Sequence, residues 1–259
     1  MSIVEHPRTS VPLLRATRVL AARGVRGGVR EGDLVFAIAA PVLFFLCFYT
    51  PLHRSFEAAG GDYAQYLAPV ITLQAGLFTA IVAGQRAGQD RATAATERLA
   101  TLPVPRVAPT LARLLAIGAR AAITIATATA IAAVFGFRLH GLVPAVGYFA
   151  LVLVVTLALS ALADALGSVT AAPERIGELL MLPQVVLVMA STGLVPAAAF
   201  PEWIQPVVRN QPVSVFADAL RGLADGDSGD PTAALIWAAA LVVVGALACV
   251  LVARKDARR

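Results

Sequence analysis

Six stretches of this 259-residue chain are apolar for long enough to cross a lipid bilayer, and nothing else constrains the fold as strongly. A spanning helix needs about 20 predominantly apolar residues, because the hydrocarbon core is about 30 Å thick and offers the backbone no hydrogen-bond partner. Runs of that length begin near Leu34, Tyr66, Ile117, Leu142, Ile176 and Thr232. Composition agrees: 58% of the residues are hydrophobic and 14% are charged, whereas a soluble domain carries about 25% charged residues. The expected fold class is all-α, a polytopic membrane protein with about six transmembrane helices.

Charge placement orients the spans. Arg8, Arg15, Arg18, Arg23, Arg26 and Arg30 precede the first run, and Arg86, Arg91, Arg98 and Arg106 separate the second from the third. Arg254, Lys255, Arg258 and Arg259 follow the last. The alternate loops are poorer in arginine and hold Glu57, Asp62, Glu202, Asp218, Asp225, Asp227 and Asp230. The positive-inside rule therefore puts both termini in the cytoplasm, as an even number of spans requires. In a chain this apolar, the net charge of +5 reads as cytoplasmic loops at a membrane and not as nucleic-acid binding. The first thirty residues lack an apolar core, so no cleavable signal peptide is expected and the first span serves as the insertion signal.

The organisation expected is a tail over 1–33, a membrane domain over 34–253 and a short tail over 254–259. At about 100° per residue, Arg15, Arg18, Arg23, Arg26 and Arg30 share one arc, with Leu13, Leu20 and Ala21 opposite. This pattern predicts a helix lying in the membrane interface with its arginines toward anionic headgroups. Gly27 and Gly28 are expected to end it.

Soluble-enzyme chemistry is missing. The only lysine is Lys255, in the tail, so no phosphate-binding loop of the G-x-x-x-x-G-K-[ST] kind exists. His6, His53 and His140 are scattered without metal-ligand spacing. No G-x-S-x-G or H-E-x-x-H occurs. Cys47 and Cys249 lie inside apolar runs as small hydrophobes. Arg120 is placed near the start of the third span, where it can snorkel. Asp164, Glu174 and Glu178 cluster toward one membrane face, whereas an ion relay needs carboxylates near the midplane. A secondary transporter or channel not driven by ATP is the alternative membrane class. It should show paired midplane charges or matching broken helices, and the sequence shows neither clearly.

Two connecting segments carry more pattern than a spacer needs, the alternatives being a solvated loop for the first and a structural lid for the second. Residues 85–113 hold E-R-L-A-T-L-P-V at Glu97 to Val104, a short amphipathic turn with Leu99 and Leu102 at helical spacing, stopped by Pro103 and Pro105. Residues 197–226 hold P-E-W-I-Q-P-V-V-R-N-Q-P-V-S-V-F-A-D-A-L-R at Pro201 to Arg221. Pro201 and Pro206 are expected to prevent a continuous helix, so that the chain enters one leaflet and turns back. Trp203 suits an interfacial depth. From Val213 the apolar residues recur at helical spacing through Phe216, Ala217 and Leu220, with Asp218, Arg221 and Asp225 on the other face.

These two motifs, with P-E-R-I-G-E-L-L-M-L-P-Q-V-V-L-V-M-A-S-T-G-L-V-P at Pro173 to Pro196, resemble the type-2 ABC transporter permeases of the daunorubicin/doxorubicin-resistance type. The likeness covers nearly the whole chain. It extends to the mycobacterial members linked to phthiocerol dimycocerosate lipid export, which share Gln211-Pro212 where the family normally reads Asn-Pro. The resemblance implies a permease subunit of an ATP-driven exporter of hydrophobic or amphipathic molecules in the bacterial inner membrane. It implies that the chain binds no cofactor itself, ATP and Mg being handled by a separate ATPase subunit in two copies. It also implies a second permease subunit, a homologous but different chain. Glu97, Arg98, Leu99, Leu102, Pro103 and Val104 become the expected ATPase-coupling residues. Pro201, Trp203, Pro206, Arg209, Asn210 and Phe216 become the expected extracellular gate.

Overall fold

The computed structural model describes residues 12–30, 32–93, 108–170, 175–227 and 230–257, and among them there is no strand. The helices are α1 Leu13–Arg30, α2 Asp33–Ala58, α3 Tyr63–Ala92, α4 Ala108–Val134 and α5 Leu142–Val169. They continue with α6 Ile176–Met189, α7 Gln205–Asn210, α8 Pro212–Asp225 and α9 Thr232–Ala257. Five of the six apolar runs become helices long and apolar enough to cross a membrane: α2, α3, α4, α5 and α9. The run from Ile176 becomes the 14-residue α6. At 1.5 Å per residue that helix reaches about 21 Å, short of the ~30 Å hydrocarbon thickness.

α3 is the hub. It packs on α2, α4, α5, α6 and α8, and buried residues line it from Tyr63 to Gly88. Its mean hydropathy is only 1.8, against 2.8 for α9, which is the least buried of the five long helices. The inversion has a physical cause. A helix facing lipid needs apolar side chains, whereas a helix enclosed by other helices needs small and hydrogen-bonding ones. The Thr79 and Thr124 hydroxyls lie 3.2 Å apart between α3 and α4. The Tyr148 hydroxyl of α5 donates to Thr72 of α3 at 2.9 Å.

Several boundaries depart from the sequence reading. α1 runs through Gly27 and Gly28 and ends only at Arg30. The turn into α2 is made at Gly32, whose φ of 80° lies in the left-handed region that favours glycine. Of α1, Ala16 and Thr17 are buried, while Leu13, Leu14 and Val19 are exposed alongside Arg15 and Arg18. The helix therefore seats small residues on the bundle, chiefly on α4, and not the leucine face that periodicity singled out.

α4 begins at Ala108 instead of Ile117. Good helix formers in L-A-R-L-L-A extend it, and α1 packs along it. Arg120 thus sits several turns inside the helix and pairs with Asp33 in place of snorkelling. Because α3 persists to Ala92 and α4 starts at Ala108, the connector is shorter than 85–113. Residues 94–107, which include Glu97, Arg98, Leu99, Leu102, Pro103 and Val104, lie outside the described residues, as does Glu174.

Candidate functional site

Chain order places α7 and α8 at the end of the bundle opposite the α3–α4 connector. They sit over the broken end of α6. The last four carbonyls of a helix have no partner within it and must find one elsewhere. Here Val186 receives the Ala190 amide (2.9 Å), Leu187 receives Gln211 Nε2 (2.9 Å) and Val188 receives the Ser191 hydroxyl (2.6 Å).

Beyond Ala190 the backbone is irregular over residues 191–196, yet its carbonyls at 190 and 192–194 all find partners, while Thr192 Oγ1 is buried without one. Gln211 Nε2 also donates to Ala190 O. The Thr192 amide donates to Ser214 Oγ at 3.0 Å, and Ser214 Oγ donates to Val208 O. The Tyr66 hydroxyl donates to Thr192 O and the Tyr63 hydroxyl to Leu194 O. Arg221 Nη2 reaches both Thr192 O and Gly193 O at 3.0 Å. Irregular backbone enclosed by a bundle needs protein partners, and α3 and α8 supply them here. α3 also presses directly on the turn, because a Cβ on Gly193 would lie 2.4 Å from Val70 Cγ2.

The proline that divides α7 from α8 is Pro212, not Pro206. Pro206 lies in the first turn of α7, where its missing N–H costs nothing. Gln211 precedes Pro212 with φ −70° and ψ 152°, the extended geometry that a following proline imposes, and Pro212 opens α8.

The sequence-predicted gate residues separate into two groups. Pro201, Trp203, Pro206, Arg209 and Asn210 are exposed, with Trp203 at 79%; Asn210 Nδ2 donates to Pro206 O at 2.8 Å. Phe216 is 3% exposed and belongs to the main core with Val213, Ala217 and Leu220. Its side therefore faces protein and not membrane. Apolar periodicity marks a buried face without saying whether lipid or protein covers it. Arg221 is likewise not a solvated residue, since it stacks on Tyr66 and spans the turn after α6. Gln211, Ser214 and Arg221 were missed as working residues. The available signal was Ser214 on the apolar face of α8 beside Val213 and Ala217, with Gln211 just before the helix.

At the connector end, Asp33 at the start of α2 accepts from both Arg86 and Arg120. Arg113 Nη1 donates to both oxygens of Asp164 (3.1 Å each), and its Nη2 donates to Asp90 at 3.0 Å. Four long helices are thus tied by charge. Between α4 and α5 an apolar groove of about 470 Å³ is lined by residues such as Ala126, Thr129, Phe149 and Leu153. Among the described residues no group of three His, Cys, Asp or Glu could hold a metal.

The most elaborate polar construction of this apolar bundle is the one that closes the end of α6. The profile of the family described as ABC-2 family transporter protein matches residues 50–255. The chain belongs to this family. The permease is similar to the doxorubicin resistance ABC transporter permease protein DrrB of Mycobacterium tuberculosis, with 34% identity over 228 residues, 85% of this chain and 78% of the relative. It is also similar to the probable doxorubicin resistance permease DrrC of the same organism, at 30% identity over 218 residues, 83% and 79% of the two chains. The daunorubicin resistance permease DrrB1 of Streptomyces coeruleorubidus is 29% identical over 215 residues, 82% and 76%. As a multi-pass membrane subunit of an ABC transporter, the permease is not itself catalytic.

Proposed function

We propose that this permease is the membrane half of an exporter in the bacterial inner membrane, with both termini cytoplasmic. It moves hydrophobic or amphipathic molecules, of the complex-lipid or anthracycline kind, outward. Its partners are two copies of a separate ATPase, which bind ATP and Mg, and a second, homologous permease chain. The relatives named for doxorubicin and daunorubicin resistance support the substrate class. The apolar groove between α4 and α5 supports lateral entry of such a molecule from the bilayer.

The observation that carries the reading is the α7–α8 pair held over the end of α6 by Gln211, Ser214 and Arg221. In this reading the pair closes the route at its extracellular end, with Trp203, Pro201, Pro206, Arg209 and Asn210 on the outward surface and Phe216 holding α8 to the bundle. The connector residues Glu97, Arg98, Leu99, Leu102, Pro103 and Val104 dock on the ATPase, and α1 rests at the cytoplasmic interface with Arg15 and Arg18 toward lipid headgroups. Closure of the ATPases on ATP then presses on α3 and α4.

Co-purification followed by reconstitution tests it. The isolated permease should hydrolyse no ATP, and the complex should show hydrolysis stimulated by an apolar substrate. Vesicle transport that runs on an ion gradient without ATP would replace this reading with a secondary transporter.

A further inference from the structure

The charge layer formed by Asp33, Arg86 and Arg120 is unbalanced. One carboxylate serves two guanidinium groups. Arg120 is the more enclosed of the two, its side chain 11% exposed against 32% for Arg86. Its Nη1 donates to Asp33 O at 3.1 Å and approaches Asp33 Oδ2 at 3.2 Å. Its Nε and Nη2 are buried and have no hydrogen-bond partner. Those two nitrogens form one edge of the guanidinium plane, the pair of parallel donors that a carboxylate fits bidentately. A buried charged fork with nothing to hold is costly and calls for an explanation in function.

The adjoining layer has the opposite imbalance. Arg113 stands between two carboxylates, Asp164 and Asp90. Arg113 and Arg120 lie about two turns apart on one face of α4. Arg86 and Asp90 lie about one turn apart on one face of α3. Asp164 is held through both oxygens, whereas Asp90 accepts a single bond from Arg113 and is 45% exposed. Asp90 is therefore the looser acceptor. Gly118 lies in α4 between the two layers, and a Cβ there would meet nothing within 4 Å. Packing does not require that glycine, and it leaves α4 a point at which to bend.

We propose that Arg120 is a two-partner residue of the transport cycle. In the conformation described it holds Asp33 through Nη1 alone, and in the opposite state its empty Nε/Nη2 edge takes the Asp90 carboxylate. The exchange is a relative shift of α4 against α3, the two helices that flank the connector, so a push on that connector is converted into a discrete re-pairing. This rests on the exporter reading above.

The test uses the complete transporter, both permeases with the ATPase, in lipid nanodiscs. Arg120→Met removes the orphan donors and leaves Asp33 paired with Arg86 alone. It should keep or raise the thermal midpoint while substrate-stimulated hydrolysis falls about tenfold, within the range of ordinary allosteric coupling. Gly118→Ala should act in the same two directions more weakly. Midpoint and hydrolysis falling together would mark Arg120 as a static ion-pair member and overturn the proposal, as would unchanged hydrolysis.

A second measurement reads the partner directly. Arg120→Cys with Asp90→Cys, in a Cys47→Ser, Cys249→Ser background, should cross-link in the complex trapped with ATP and vanadate and not in the nucleotide-free complex. Equal yield in both states, or none in either, overturns the proposal. A wild-type complex without ATP-driven transport would defeat the exporter reading and this inference with it. A coupled wild type whose variants behave normally defeats this inference alone.

Discussion

The guanidinium of Arg221 lies 3.6 Å above the centroid of the Tyr66 ring, while its Nε donates to the Tyr66 carbonyl at 3.1 Å. The same side chain holds Thr192 O and Gly193 O, and the Tyr66 hydroxyl meets Thr192 O from the other side. A cation on α8, a ring on α3 and the turn that follows α6 therefore form one unit. Cation–π contact and charged hydrogen bonds gain strength where water is excluded.

Removing either member should be measurable and graded. Arg221→Ala leaves Thr192 O, Gly193 O and Tyr66 O short of a donor and should cost about 3 kcal/mol or more. Arg221→Lys keeps the charge but loses the fork, and should fall between Arg221→Ala and the wild type. Tyr66→Phe loses one hydroxyl and should cost about 1 kcal/mol. Tyr66→Leu also loses the ring and should cost more. Thermal midpoints of the detergent-purified chain check the order, at roughly 2–4 °C per kcal/mol for a chain of this size.

Phe216 is a core position, 3% exposed. Phe216→Asp should therefore prevent stable folding, because an unpaired carboxylate would enter a protein interior. Phe216→Leu should cost less than about 1.5 kcal/mol. Gly193→Ala should also destabilise, since its Cβ meets Val70. Expression of fluorescence-tagged variants, followed by size-exclusion profiles, separates these outcomes. A well-folded Phe216→Asp protein would contradict the packing of α8.

Trp203, exposed at the same end, should behave in the opposite way. Trp203→Ala should leave the thermal midpoint within about 0.5 kcal/mol of wild type, as expected for a substitution without buried partners. Export should nonetheless fall if the tryptophan borders the exit. Trp203→Cys, with Cys47 and Cys249 replaced by serine, should react with an impermeant thiol reagent from outside the cell. Labelling from the cytoplasmic side would invert the proposed topology.

Coupling to the ATPase is expected to depend on the connector. Glu97→Arg reverses a charge and Leu102→Asp places one on an apolar docking turn, so both should weaken association with the ATPase. Membrane insertion should be unaffected. Pull-down of the ATPase with tagged permease measures the first effect, and membrane fractionation measures the second. Full association by both variants would remove the docking role.

Asp230 supplies a pH signature outside the spans. Its carboxylate accepts from the Thr232 hydroxyl and from the Thr232 amide, the latter at 3.0 Å, and these bonds hold its pKa below the ordinary 3.8. A depressed folded value means the stabilisation is complete above the unfolded pKa and is lost as pH falls through the folded one. Asp230→Ala should lower the thermal midpoint at pH 7. The difference from wild type should shrink as the pH is taken below the ordinary carboxylate value. A difference that grows in acid would refute the bonding of Asp230 to Thr232.

Much of this protein was legible in the sequence because the bilayer is a strict solvent. Apolar length located α2, α5 and α9 to within a residue or two, since a span must be continuous to satisfy its backbone. The motif around Trp203 marked a segment without a continuous helix, and α7 is divided from α8 at Pro212, the residue that opens α8.

The partners were settled only by tertiary packing. Periodicity shows that Val213, Phe216 and Leu220 share a face, but lipid and protein are equally apolar, so only the packing of α8 on α3 and α5 decides which one covers it. Arg221 and Asp218 look alike in the sequence as charges on one amphipathic helix. In the fold, Asp218 remains exposed and Arg221 reaches back across the chain to residues 66, 192 and 193. The ionic ties of Asp33 to Arg86 and Arg120, and of Arg113 to Asp90 and Asp164, likewise join residues from four helices. Charge counts alone place them near one membrane face. Which carboxylate meets which guanidinium depends on helix rotation and register, and those are set by how the helices pack against one another.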